Sequence, residues 1–210
     1  MLFYRHYNVA LFYTMKILAK LIIFLVLPTF LLANEKAEKT VYTIITKNDT
    51  AGYLHVSKWI ENDTVFYSYH SDATTTLLKT FHVISDRVCK YIDGQLVYCH
   101  SKNIVNGDIR DNATTAWKGT YYEVVNGGEK KIEDDIIDFS SLLLFFSEPQ
   151  NIEETYSELK AKFLGLKKEA ENAYRIDTGW GRHSTYFYES GIMKRAEISI
   201  PLISFELVRQ

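Results

Sequence analysis

This sequence contains no catalytic signature, no metal-ligand spacing, no concentrated positive charge and only two cysteines in 210 residues. Each absence removes a class of function. Formal charge is −2 overall. Residues 1–33 carry Arg5, Lys16 and Lys20 and no acid, so the rest of the chain holds 21 cations against 26 anions. Nucleic-acid binding needs a concentrated basic face, and none is present. Cys89 and Cys99 fit neither a C-x-x-C redox pair nor a zinc knuckle. His55, His70, His82, His100 and His183 fall in no H-E-x-x-H or comparable spacing. No G-x-S-x-G elbow accompanies the serines. Gly179-Trp180-Gly181 has no lysine or helix start behind it, so it reads as a turn carrying an aromatic rather than a phosphate cradle. No catalytic residue, metal site or cofactor is expected.

Apolar and aromatic residues are abundant. Hydrophobic residues make up 47% of the chain, with 15 Tyr and 12 Phe, so a sizeable core can form and disorder is excluded. Aromatic and β-branched residues of this kind suit a pleated, half-buried surface. The N-terminus has a different character. Residues 15–33 run from Met15-Lys16 through an apolar stretch, Leu21–Leu32, to a small residue, Ala33, which is the tripartite pattern of a signal peptide. Pro28 interrupts the stretch, and a membrane span needs roughly 20 unbroken apolar residues. The expectation is therefore cleavage near Asn34 and export to a periplasmic or extracellular space as a soluble domain, with no stable span afterwards. Residues 1–14 read as an extension ahead of the true start at Met15, residues 34–40 as a polar spacer, and residues 41–210 as one β-rich domain.

Within that domain, short β-type runs alternate with turn signals. Val41–Lys47, Gly52–Ile60, Thr64–His70, Thr74–Ile84, Arg87–Ile92 and Gln95–His100 are strands on this reading, with a turn at Ser71-Asp72. Asp93-Gly94 is the strongest hairpin signal, because both residues accept the positive φ of a tight turn. Ala173–Asp177, His183–Tyr188, Ile192–Ile200 and Leu202–Val208 continue the pattern, while 156–166 fits a helix or an edge strand. The fold class expected is mainly β, an antiparallel meander forming a half-open or closed barrel. One short buried helix is expected around 139–147, ended by Glu148-Pro149. In that segment Leu142, Leu143 and Phe146 are expected to be buried against the sheet and to be the candidates for an apolar groove.

Other features have plain explanations. With a two-residue loop Cys89 faces Tyr98, and only a bulge or a longer loop would bring it to Cys99. A disulfide and two separately packed thiols both stay open. His70 and Asp72 share a strand face and could seed a site, though a solvated strand end with a turn-initiating Asp explains them as well. Glu133-Asp134-Asp135 and Glu153-Glu154 read as solvated charge, since adjacent strand residues point to opposite faces. The glycosylation sequons at Asn48, Asn62 and Asn112 coincide with turn signals. Trp59, Tyr67, Tyr69, Trp117, Tyr186, Phe187 and Tyr188 could form a sugar- or lipid-binding face, or simply core and cross-strand pairs.

The order Leu144-Phe145-Phe146-Ser147-Glu148-Pro149, Tyr156-Ser157-Glu158, Ala173-Tyr174-Arg175-Ile176 and Tyr186-Phe187-Tyr188-Glu189-Ser190-Gly191 resembles a family of secreted β-rich bacterial proteins known only as a domain of unknown function. The resemblance covers most of the chain after the signal. It implies structural motifs without catalytic residues, and similarity to envelope half-barrels that hold lipids on a concave sheet. The functional expectation is a non-enzymatic domain that binds an apolar or amphipathic envelope component, such as a lipid. A structural or protein-binding module and an envelope hydrolase are the alternatives.

Overall fold

The computed structural model describes residues 37–210 apart from 48, 77, 78 and 202. The expected extension (1–14), signal peptide (15–33) and residues 34–36 of the spacer lie outside the described residues. Fourteen strands follow: β1 Glu38–Thr46, β2 Asp49–Glu61, β3 Thr64–Thr76, β4 Thr80–Ile92, β5 Gln95–Val105, β6 Asp108–Trp117, β7 Tyr122–Asn126, β8 Glu129–Glu133, β9 Glu154–Ser157, β10 Lys162–Ala170, β11 Ala173–Gly179, β12 Arg182–Glu189, β13 Ile192–Ile200 and β14 Ile203–Arg209. Every pairing of neighbouring strands is antiparallel. They form one sheet in the order β8-β7-β6-β5-β4-β3-β2-β1-β14-β13-β12-β11-β10-β9. The chain is thus two meanders, β1–β8 and β9–β14, joined where β1 pairs with β14.

Inward and outward residues alternate along each strand, as a sheet with one buried face requires. Tyr42 and Ile44 of β1, Leu54 and Val56 of β2, and Cys89 and Tyr91 of β4 all point into a single core. The Asp93-Gly94 turn forms as the sequence predicts, with φ of 50° and 79°. The sheet curls strongly. Flat, it would hold β6 and β9, eleven places apart in the order, about 50 Å from each other at the usual strand spacing. Instead the hydroxyls of Thr115 on β6 and Tyr156 on β9 lie 2.8 Å apart, and Asn126 at the end of β7 donates to the Lys160 carbonyl at 3.2 Å.

Several expectations need correction. The sheet is not a closed barrel: β8 and β9 remain its edges. The helix expected around 139–147 is a single 3-10 turn, Ser141–Phe145, and the described residues contain no longer helix. It is short because each flank is tied down. Ser140 bridges to Tyr156, and Pro149 follows within four residues of Phe145. The Ser71-Asp72 turn is absent, and β3 runs through it to Thr76 because Ser71 and Thr75 point inward while Asp72 and Thr74 point outward. Of the two forms open to 156–166 the strand is the one found: the segment lies in the β9–β10 hairpin, in which Tyr156 opposes Phe163 and β9 is an edge of the sheet. Glu38, Lys39 and Thr40, read as spacer, open β1 against Lys58, Ser57 and Val56.

Candidate functional site

The interior has two ends. At one, Ile137 and residues 139–146 fill the concave face, while Ile136 and Asp138 stay exposed. The Leu96 N–H donates to the Ile137 carbonyl at 2.8 Å, Tyr91 Oη to Ser140 Oγ at 2.8 Å, and Tyr188 Oη to the Leu144 carbonyl at 2.8 Å. Glu158, only 2% exposed, reaches in from the β9–β10 turn. Its carboxyl oxygens accept from Ser141 Oγ and from the Leu142 N–H at 2.7 Å, in place of the side-chain cap that Ser140 does not supply. Leu142, Leu144 and Phe145 are buried. Leu143 and Phe146, expected to be buried too, are only half-buried, because a 3-10 turn of three residues per revolution cannot direct every side chain inward. These residues plug one end of the sheet, and none of Leu142, Leu143 and Phe146 lines the hollow beside β3–β5 or the one beside β10–β11.

At the other end the strands leave a cavity of about 310 Å³ open to solvent. Its walls differ in chemistry. Ile44 of β1, Ile198 of β13 and Phe205 and Leu207 of β14 make an apolar side. Thr75, Ser85, Arg87 and Asn103, from β3, β4 and β5, face them. Thr75 Oγ1, Ser85 Oγ, Arg87 Nε and Asn103 Oδ1 are all buried and have no hydrogen-bond partner among the described residues. The Arg87 guanidinium lies 4.4 Å from the Tyr69 ring centroid, and Tyr69 in turn packs edge-on against Phe145 of the plug, 5.6 Å between centroids. Phe145 therefore lies behind Tyr69, the residue of this chain of contacts that lines the cavity, and also touches Tyr42 and Tyr186. Burial pushes the Tyr186 hydroxyl up to about 12, against the opposing effect of the Arg87 charge.

A larger hollow of about 810 Å³ lies beside Glu148–Glu153 and β10–β11. Its charges are mixed, Glu153 and Glu171 with Lys167 and Lys168, and Tyr174 Oη already donates to Glu148 at 2.9 Å. No unpartnered buried polar atom of the described residues lines it. The smaller cavity is the better candidate, because buried polar groups left unpaired are costly and concentrate where something binds.

The other sequence candidates are placed elsewhere. Cys89 and Cys99 face each other and are bonded. The pairing runs Tyr91 to Leu96 and then Lys90 to Tyr98, so Val97 is the extra residue of a bulge that brings the two cysteines opposite. His70 and Asp72 do share the outer face, but Asp72 is mid-strand and not a turn residue. Each finds its partner on β4: His70 Nδ1 lies 2.6 Å from Asp86 and His82 Nε2 2.7 Å from Asp72. No group of three or more metal-binding side chains occurs among the described residues. Trp59 stacks on Phe66, whereas Tyr67, Tyr69 and Tyr186 face the interior. Arg87, Thr75, Ser85, Asn103 and Glu158 were not singled out by sequence reasoning as site residues. The available signal was polar residues recurring every second position on β4, Ser85 and Arg87, where an inward face calls for apolar ones.

Residues 42–210 match the family model described as domain of unknown function DUF6134. The chain belongs to this family. The DUF6134 domain described above also has a likeness among solved structures. It is similar to the β-barrel-like protein of domain of unknown function DUF1849 from Brucella abortus, with a TM-score of 0.50 and 8% identity, over 84% of this chain and 96% of that one. At that identity the likeness concerns the fold alone. No curated protein matches the chain.

Proposed function

We propose that this DUF6134 domain is an exported, non-enzymatic module that holds an apolar or amphipathic component of the cell envelope in the cavity between β1, β3–β5 and β13–β14. The observation that carries the reading is the two-sided cavity itself, an apolar wall facing four buried polar atoms without partners. A filled structural core would not leave this space; Ser101 Oγ and Thr155 Oγ1 are also unpartnered but lie outside the cavity, so it is the coincidence of space and orphaned groups that supports the reading. A hydrolase is the weaker reading, since the cavity lining includes the aliphatic hydroxyls of Ser71, Thr75 and Ser85 but no histidine or carboxylate to activate them.

Native mass spectrometry of the protein purified from its own host should reveal a co-purifying amphiphile, released by organic extraction. A wild-type protein that carries nothing and takes up no fluorescent fatty-acid analogue is instead a structural or partner-binding module. Export has a separate check: the mature N-terminus should lie near Asn34, and an intact Met1 species confined to the cytoplasm contradicts it.

A further inference from the structure

We infer that the ligand of this cavity has an anionic head, a carboxylate or a phosphate, which Arg87 binds at the deep end while an acyl chain lies along the Ile198–Phe205–Leu207 wall toward the mouth. The inference rests on the amphiphile reading above and adds the headgroup, its residue and the orientation.

Depth follows from strand register. Arg87 pairs across the sheet with Tyr69 and Ser101, one inward position further from the β3–β4 connection than Ser85, which pairs with Ser71 and Asn103. Val83, one inward position nearer that connection, pairs with Ala73 and Val105. Ile200, the last residue of β13, is 39% exposed and marks the rim on the apolar side. From rim to deep end the β4 wall therefore reads Val83, Ser85, Arg87, ending at Tyr69 with the Phe145 plug behind it.

The charge argument is independent of the shape. No carboxylate of the described residues lies within ion-pair distance of Arg87. Asp111, the acid across from Asn103 on β6, is already occupied: it lies 3.5 Å from Lys160 Nζ and accepts from Asn103 Nδ2 at 3.3 Å. That bond turns Asn103 Oδ1, which has no partner, to the cavity side. A half-buried guanidinium with an unpaired Nε and no counter-ion has a donor free for an entering anion, which it holds through charge-assisted hydrogen bonds. Ser85, 6% exposed and also unpartnered, adds a hydroxyl one inward position from Arg87 that can donate to the same head or to a glycerol-like linker behind it, whereas Thr75, which pairs with Phe81, lies nearer the mouth.

Four probes sharing one dodecyl chain separate the terms: tridecanoate, dodecyl phosphate, dodecanol and dodecyltrimethylammonium, titrated calorimetrically below their micelle concentrations. The anions should bind about tenfold or more tighter than dodecanol, the weight of one charge-assisted hydrogen bond, and the cation weakest. Whichever anion binds tighter identifies the head. Arg87→Met should abolish the advantage of the anions over dodecanol measured on the same variant, and Arg87→Lys should keep a preference for anions. Dodecanol binding as tightly as the anions to wild-type protein overturns the headgroup assignment and leaves the apolar cavity standing, with no variant needed. An anion preference that survives Arg87→Met overturns the role of Arg87. Binding of none of the four overturns the headgroup assignment and the amphiphile reading together.

Discussion

A carboxyl group that is 2% exposed must be matched by donors, and Glu158 finds two in the first turn of the plug, Ser141 Oγ and the Leu142 N–H. Glu158→Ala strands that buried N–H, and we expect a loss of about 1–3 kcal/mol in urea unfolding. Glu158→Gln, which keeps one acceptor, should cost less. The buried tyrosines define an alkaline limit. Burial raises Tyr156 and Tyr186 to about 12, above an ordinary value near 10. A group whose folded value is raised adds stability that is complete below the unfolded value and disappears as pH climbs through the folded one. Denaturant midpoints should therefore hold up to about pH 10 and fall from there to about pH 12. The drop should be smaller in Tyr186→Phe, and an unchanged profile in that variant would assign the effect to other groups. Arg87 shows why single residues are hard to read from sequence. One polar side chain inside an alternating strand looks the same whether it points at solvent, after a register slip, or into a cavity. Only the pairing of Arg87 with Tyr69 and Ser101 decides.

Among the elements, the plug is the least regular and the most consequential. Its apolar run was legible as something that had to be buried, but its form was not. Continuous hydrophobicity carries no period, and the competing ties at Ser140 and Pro149 come from β9 and from a proline whose influence reaches back only a few residues. Phe145 touches Tyr42, Tyr69 and Tyr186 from three different strands. Phe145→Ala should cost about 3–5 kcal/mol by thermal or urea unfolding. Phe146→Ala, at a half-buried position against Tyr67, should cost roughly half of that. Equal losses would mean that the two rings share the core evenly. The β4–β5 hairpin teaches the converse. Its turn was plain from Asp93-Gly94, whereas the bulge at Val97 that brings Cys89 to Cys99 carries no sequence signal of its own. Reduction of this bridge, which spans a separation of 10 residues, should lower stability by about 2 kcal/mol. Equilibrium unfolding with and without a reductant checks it, with intact mass reporting the hydrogens gained.

For the whole molecule, strand number, antiparallel order and tight turns follow from local alternation and turn chemistry, and these were legible. Curvature and the strand order were not, because they depend on which distant strands meet. Nothing in residues 41–47 or 202–208 marks them as partners, yet Tyr42 faces Arg209 across the middle of the sheet. That seam has a kinetic consequence. Every other strand pairing joins neighbours in sequence through a short connection and can form early, one hairpin after another. The seam closes a loop of nearly the whole domain, so its entropy must be spent before its hydrogen bonds return anything. Until β14 docks on β1, the first strand exposes an apolar flank, Tyr42 and Ile44, and a free hydrogen-bonding edge, which is the kind of surface that recruits another chain. The domain's folding rate and its exposure to aggregation are therefore governed by one late, long-range event at the centre of the sheet and not by its outer strands.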